Sequence, residues 1–197
     1  MASLLRAAAA DGFPGRVVLA LCNVEGAPGM AVAEGFGVEA RCVAHRDFGR
    51  DREAHDLAVQ AALVAAGAEV VCLAGYMRLL TPFLVEVWAG RMLNIHPSLL
   101  PAFAGLDTHR RALAARVKLH GCTVHLVTQA VDSGPILAQA AVPVLEDDDE
   151  ETLAARVLVQ EHVLYPTALR LFLEGGVGRA DAGAALHNPL PMPAGSN

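Results

Sequence analysis

The sequence predicts an α/β fold on a doubly wound, mainly parallel, Rossmann-like sheet, and three observations carry that reading. A chain of 197 residues with 54% hydrophobic and 18% charged content suits one compact domain with a sizeable core. Short runs of aliphatic and β-branched residues alternate with stretches of helical periodicity in a βαβα rhythm. Those runs are apolar without alternation, as expected where helices cover both faces of a sheet.

In order, the chain opens with a helix over 2 to 11. Strands at 16 to 22 (RVVLALC), 39 to 44 (EARCVA), 69 to 74 (EVVCLA) and 91 to 95 (RMLNI) then alternate with helices at 27 to 36, 51 to 66 and 81 to 89. After residue 105 the pattern changes. A short helix near 108 to 115 precedes runs at 121 to 128 (GCTVHLVT) and 136 to 144 (ILAQAAVPV), which suit an antiparallel pair around a loop holding Asp132, Ser133, Gly134 and Pro135. The acids from Glu146 to Glu151 lead into a long helix, where carboxylates near the amino end suit the dipole. Leu153, Val157, Leu164 and Leu171 form its apolar stripe, and Pro166 marks a place for a kink. From Gly175 onward the chain is rich in Gly, Ala and Pro, so a domain over 1 to 174 and a poorly ordered tail over 175 to 197 are expected.

Several function classes are disfavoured. No apolar run approaches the roughly 18 residues of a membrane span, and the opening MASLLRAAAADGF lacks the pattern of a secretory leader, so a soluble cytoplasmic protein is expected. Cys22, Cys42, Cys72 and Cys122 lie far apart in strand-like runs and read as buried thiols. A net charge of −6 with arginines interleaved among acids argues against nucleic acid. His109, His120 and His125 have no metal-site spacing, so no metal is expected. Cys122 and His125, three apart on a strand, face opposite sides and make no thiolate–base dyad. Neither GxGxxG nor GxxxxGK[ST] occurs.

The segment Asn94-Ile95-His96-Pro97-Ser98-Leu99-Leu100-Pro101 begins where strand 91 to 95 ends, and ligands of such sheets collect outside the carboxyl ends of strands. Residues two apart on a strand share a face, and Pro97 keeps its predecessor extended, so the Asn94 amide and His96 imidazole converge. An amide donor beside an imidazole can stabilise an oxyanion and move a proton. A carboxylate at Asp132 can reach the same crevice, where it would favour an imidazolium. The alternatives are a capped loop with a satisfied histidine and an ordinary Asx turn. One feature is odd: the chain opens directly at a helix, whereas doubly wound domains open with a strand and an anion-binding loop.

The segments NIHPSLLP, FAGLDTHRRAL, KLHGCTVHLVT, DSGPILAQAAVPV and QEHVLYP, with LAGYMRLLTP at 73 to 82, closely resemble the folate-dependent phosphoribosylglycinamide formyltransferase family in one unbroken order to about Glu174. The resemblance implies formyl transfer from 10-formyltetrahydrofolate to the amine of glycinamide ribonucleotide in purine synthesis, with neither metal nor covalent enzyme intermediate. It implies Asn94, His96 and Asp132 as the catalytic trio. It also implies folate binding by Arg52, Met77, Arg78, Leu79, Leu80, Asn94 and the loop Thr128, Gln129, Ala130, Val131 and Asp132, and ribonucleotide binding by Glu161. Read without it, Met77, Leu79 and Leu80 are core packing and Glu161 is a solvated helix residue.

Two departures stand out. Asp107 occupies a position that is His in many relatives. Family members also begin with a strand and a Gly-Ser-Asn loop that holds the ribonucleotide phosphate, and this sequence starts just after that place, so a start assigned too late or a shortened piece is expected. The competing readings are a formyltetrahydrofolate hydrolase, whose relatives carry a regulatory domain and usually a second His where this chain has Pro97, and an inactive folate-binding module. A tRNA-directed relative is disfavoured, since its extra carboxyl-terminal domain has no counterpart here.

Overall fold

In a computed structural model, the structure describes residues 1 to 176 together with Ala185 and Leu186. Apart from Gly175, Gly176, Ala185 and Leu186, the expected tail over 175 to 197 lies outside the described residues. The chain divides into two compact units, Met1–Leu93 and Asn94–Asn197.

The first unit contains α1 (Ala2–Ala8), β1 (Ala20–Cys22), α2 (Pro28–Gly35), β2 (Ala40–Cys42), a 3-10 turn (His45–Phe48), α3 (Arg52–Ala65), β3 (Val71–Leu73), α4 (Pro82–Val87) and the start of β4 (Met92–His96). β1 and β2 pair in parallel, Ala20 opposite Ala40 and Cys22 opposite Cys42. Beside the start of β4, the Val71 N–H donates to the Arg91 carbonyl at 2.9 Å. Helix starts follow local chemistry. Asp51 caps α3 by accepting from the Ala54 N–H at 2.9 Å, and Thr81 caps α4 with Pro82 in the first turn, where a missing N–H does no harm. Leu4, Leu5, Val59, Leu63, Leu84 and Trp88 are buried here.

The second unit begins inside β4 and contains α5 (Thr108–Ala114), β5 (Leu119–Leu126), β6 (Ile136–Pro143), α6 (Glu150–Leu173) and β7 (Ala185–Leu186). β5 and β6 are antiparallel, as the loop between them suggests, and β6 pairs in parallel with β7. Seven consecutive residues of β5, from His120 to Leu126, are buried, which fits its apolar, non-alternating sequence. α6 lies against β5 and β6 through Leu153, Val157, Leu164 and Ala168. Its amino end is a reciprocal capping box between Asp149 and Thr152, and the helix continues through Pro166.

The architecture is α/β with a mixed, mostly parallel arrangement of strands, as expected, but with two sheets rather than one continuous sheet among the described residues. The early elements are also shorter. α1 stops at Ala8 because turns closed by Ala10 N–H to Ala7 C=O and Phe13 N–H to Ala10 C=O follow it, and β1 starts only at Ala20. The reading of four buried cysteines needs correction. All four lie in strands, yet only Cys122 is buried, because β1, β2 and β3 are half-exposed along their whole length whereas β5 is covered.

Candidate active site

The second unit brings Asn94, His96 and Asp132 together. Asn94 and His96 lie two apart on β4, and His96 is buried at 7% exposure. Asp132 comes from the turn between β5 and β6, in the left-handed region at φ 51°. That conformation is uncommon for a residue with a side chain, though Asp tolerates it better than most. Its Oδ2 lies 3.3 Å from His96 Nδ1 and accepts the Gly105 N–H at 2.9 Å. His96 Nε2 faces the Phe103 carbonyl at 3.1 Å. A ring with acceptors at both nitrogens satisfies both only when both carry hydrogen, so this geometry fits the imidazolium.

Sequence reasoning missed His125. Its Nδ1 lies 2.9 Å from the Leu126 carbonyl, which fixes the proton there and leaves Nε2 as an acceptor for the Asn94 Nδ2–H at 3.3 Å. Burial lowers the His125 pKa, opposed by the Leu126 carbonyl and Asp132 and assisted by His96, which suits that neutral role. Asn94 Nδ2 carries a second hydrogen, available to an oxygen that develops charge. Together the site offers an oriented amide donor, an imidazole and a buried carboxylate.

The supporting layer is polar, and its central residue is fully bonded. Thr123 is completely buried; its hydroxyl donates to the Ser98 carbonyl at 2.7 Å and accepts from the Leu100 N–H at 3.0 Å and Gln139 Nε2 at 2.9 Å. These bonds hold the chain just after His96. Behind Phe103, the His120 ring meets His109 at 3.2 Å, and burial with the neighbouring histidines pushes the His120 pKa down to about 4. Cys122 is no nucleophile: burial, then Glu161, raises its thiol to about 12.

The other sequence candidates are placed as follows. Thr128, Gln129, Ala130 and Val131 are exposed on the turn that ends in Asp132, whose shape is held by Ser133 Oγ–H donating to the Val131 carbonyl at 2.9 Å. Glu161 is half-buried on α6, and burial raises its carboxyl. In the first unit, Arg52 is exposed at the start of α3. Met77 and Leu79 are 78% and 62% exposed, so they are not the core residues that periodicity alone suggests, while Arg78 and Leu80 are half-buried. Among the described residues, no group of three or more His, Cys, Asp or Glu side chains is placed to hold a metal ion, and no helix is long and apolar enough to cross a membrane.

An α/β chain that sets an amide, an imidazole and a carboxylate at a strand end has the donors and the proton carrier that group-transfer enzymes use. The sequence model described as Formyl transferase matches residues 1–169, and the chain belongs to that family. Among its relatives, the phosphoribosylglycinamide formyltransferase of Escherichia coli is 39% identical over 173 residues, 88% of this chain and 81% of that protein. The trifunctional purine biosynthetic protein adenosine-3 of Drosophila melanogaster is 43% identical over 166 residues, and there the chain spans only 12% of the relative's length. A crystal structure of phosphoribosylglycinamide formyltransferase from Brucella melitensis is similar at a TM-score of 0.83 and 54% identity, covering 88% of each chain. One of glycinamide ribonucleotide transformylase 1 from Symbiobacterium toebii gives 0.85 and 46%, covering 89% of this chain and 82% of the other.

Proposed function

We propose that this chain transfers the formyl group of 10-formyltetrahydrofolate to the amine of glycinamide ribonucleotide, a cytoplasmic step of purine synthesis. The observation that carries the reading is two bonded pairs in the second unit, Asn94 with His125 and His96 with Asp132. The names of the similar proteins support the choice of substrates.

In this reading the ribonucleotide amine attacks the formyl carbon, a C–N bond forms, and the carbonyl electron pair moves onto oxygen. The free Asn94 Nδ2–H and the His96 imidazolium stabilise that oxyanion. Nε2–H of His96 turns to it from the Phe103 carbonyl, its partner at 3.1 Å in the resting site. Asp132 holds the imidazolium through Nδ1. The proton lost by the attacking amine passes to N10 of the folate, the old C–N10 bond breaks, and tetrahydrofolate leaves. Neither a metal nor a covalent enzyme intermediate enters this sequence. In this reading Arg52, Met77, Arg78, Leu79 and Leu80 of the first unit are folate-binding residues, and its exposed apolar side chains, Met77 and Leu79, suit a flat heteroaromatic ring. In the second unit the same role is proposed for Asn94 and for the turn Thr128, Gln129, Ala130, Val131 and Asp132. Glu161 receives the glycinamide end of the ribonucleotide.

The test is release of tetrahydrofolate from 10-formyltetrahydrofolate with and without glycinamide ribonucleotide. Release that requires the ribonucleotide is expected. Release to water alone would favour a hydrolase, and folate binding without release would favour a binding module.

A further inference from the structure

Two side chains adjacent in sequence tie together the loops of the first unit, and the reaction described above uses neither. His55 is fully buried and Asp56 is 2% exposed. His55 Nε2 lies 3.1 Å from the Val43 carbonyl, just after β2, and its Nδ1 lies 3.2 Å from Asp56 Oδ1. The Phe48 ring packs edge-on against the imidazole at 5.4 Å. The other carboxylate oxygen of Asp56 accepts the Thr81 N–H at 2.8 Å. Thr81 is itself buried and caps α4.

Thr81 closes the segment that runs from β3 to α4. Gly75, at φ 71°, turns the chain near its start, and from there the segment presents Met77 and Leu79 to solvent while Arg78 and Leu80 point partly inward. A loop that exposes two large apolar side chains and is anchored beneath by a buried carboxylate is preorganised rather than slack. Tyr76 reports the same proximity: its phenol rises to about 12, through burial and then the Asp56 charge. Each residue left loose here would have to be ordered on binding, at a cost in conformational entropy.

We propose that Asp56, held by His55, is the positioning residue that sets the main chain of 76 to 81 for the folate cosubstrate. The inference rests on the transferase reading, since it is that reading which places the pterin-bearing ligand against Met77 to Leu80. Asp56 acts through the Thr81 N–H and not on the reacting atoms, so its loss weakens folate binding and leaves the chemical step alone. Asp56→Asn keeps the network. The amide oxygen accepts from Thr81, and the amide nitrogen donates to the Nδ1 of a neutral His55 whose Nε2–H still meets the Val43 carbonyl.

The experiment measures kcat and both KM values for the full chain and for Asp56→Ala, Asp56→Asn and His55→Phe, alongside calorimetric titration with tetrahydrofolate and thermal unfolding. In Asp56→Ala the folate KM and the tetrahydrofolate Kd rise about tenfold, the scale of one net buried hydrogen bond. kcat and the ribonucleotide KM stay within about twofold, and Asp56→Asn stays within about threefold of the parent throughout. An Asp56→Ala protein that unfolds near the parent temperature with unchanged folate KM overturns the proposal. So does a parallel loss in kcat and both KM values, or an Asn variant as impaired as the Ala variant. If Asp56→Ala does not fold, His55→Phe, which keeps the ring against Phe48 and removes both donors, carries the same expectation and the same refutation. A parent chain that binds tetrahydrofolate without transferring formyl sinks the transferase reading alone, and the Kd values then decide this one. A parent that binds no tetrahydrofolate sinks both.

Discussion

Asn94 and His125 act as a unit, and substitutions at either test this most directly. Asn94→Ala removes the amide donor and leaves Nε2 of a 2%-exposed histidine without its partner. If the amide serves the oxyanion, kcat falls about 100- to 1,000-fold, roughly 3 to 4 kcal/mol of transition-state stabilisation, with little change in KM. Unchanged turnover in the purified variant would remove Asn94 from the mechanism. His125→Leu keeps the volume and removes the acceptor, so the amide loses its orientation but not its hydrogens, and a smaller fall of about tenfold is expected. The double variant should fall no further than Asn94→Ala alone, since paired groups are not additive. Full additivity would show that the 3.3 Å contact carries no coupling. The sequence makes the first residue of this pair legible and hides the second. Asn94 and His96 are placed by the strand period and by Pro97, whereas His125 sits in a strand buried on both faces, where periodicity assigns no side.

At the scale of elements, that strand hides a further device. The β5–β6 register holds from Leu119 opposite Pro143 to Val124 opposite Ala138, then slips by one so that His125 meets Ile136. Such a bulge re-aims the side chains beside it, and it carries no composition signal in GCTVHLVT. What was legible depended on local chemistry. Asp51, Thr81 and Asp149 each accept a backbone N–H at the head of a helix, so α3 and α4 begin within a residue of where the pattern puts them and α6 begins inside the acidic run. The strands of the first unit are shorter than the sequence suggests, because their apolar runs continue beyond the three residues of each strand. Two glycines of the second unit are legible only in the structure. A Cβ on Gly121 would drive into the Ala140 carbonyl across the β5–β6 ladder, and one on Gly134 into the Leu126 carbonyl, beside the bond from Leu126 N–H to Pro135 C=O. Neither clash is with a flexible side chain, so each Ala variant must move backbone, at a cost of about 1 to 3 kcal/mol in urea unfolding. Their activities should part company. Gly134→Ala lies two residues from Asp132 and should lower kcat, while Gly121→Ala, in mid-strand, should mainly lower stability. Equal turnover in the two would mean that the Asp132 turn tolerates displacement.

For the molecule as a whole, acid stability follows from three histidines of the second unit, His120 and His125 buried and His109 half-buried. His109, His120 and His125 all have lowered pKa values, burial being the first cause in each, and His120 reaches about 4. The unfolded chain takes up each proton near 6.5, the folded one only at lower pH. Between those values the unfolded state binds more protons, so stability is complete above about pH 6.5 and declines as acid is added. For His120 the decline ends near pH 4 and amounts to about 3 kcal/mol at most. A second loss begins lower. The paired oxygens of Asp148 meet Arg156 at 2.6 and 2.7 Å, which holds that carboxyl at about 2, so its contribution is present above 3.8 and disappears as pH falls through 2. Urea unfolding from pH 7.5 to 4.5 should be followed by far-UV circular dichroism, because Trp88, the single tryptophan, lies in the first unit and the three histidines in the second. The unfolding free energy should begin to fall below pH 6.5, and His120→Gln should flatten that fall, whatever it costs at pH 7.5. Parallel curves for the parent and His120→Gln would show that this histidine does not set the acid limb, leaving His109 and His125 to account for it.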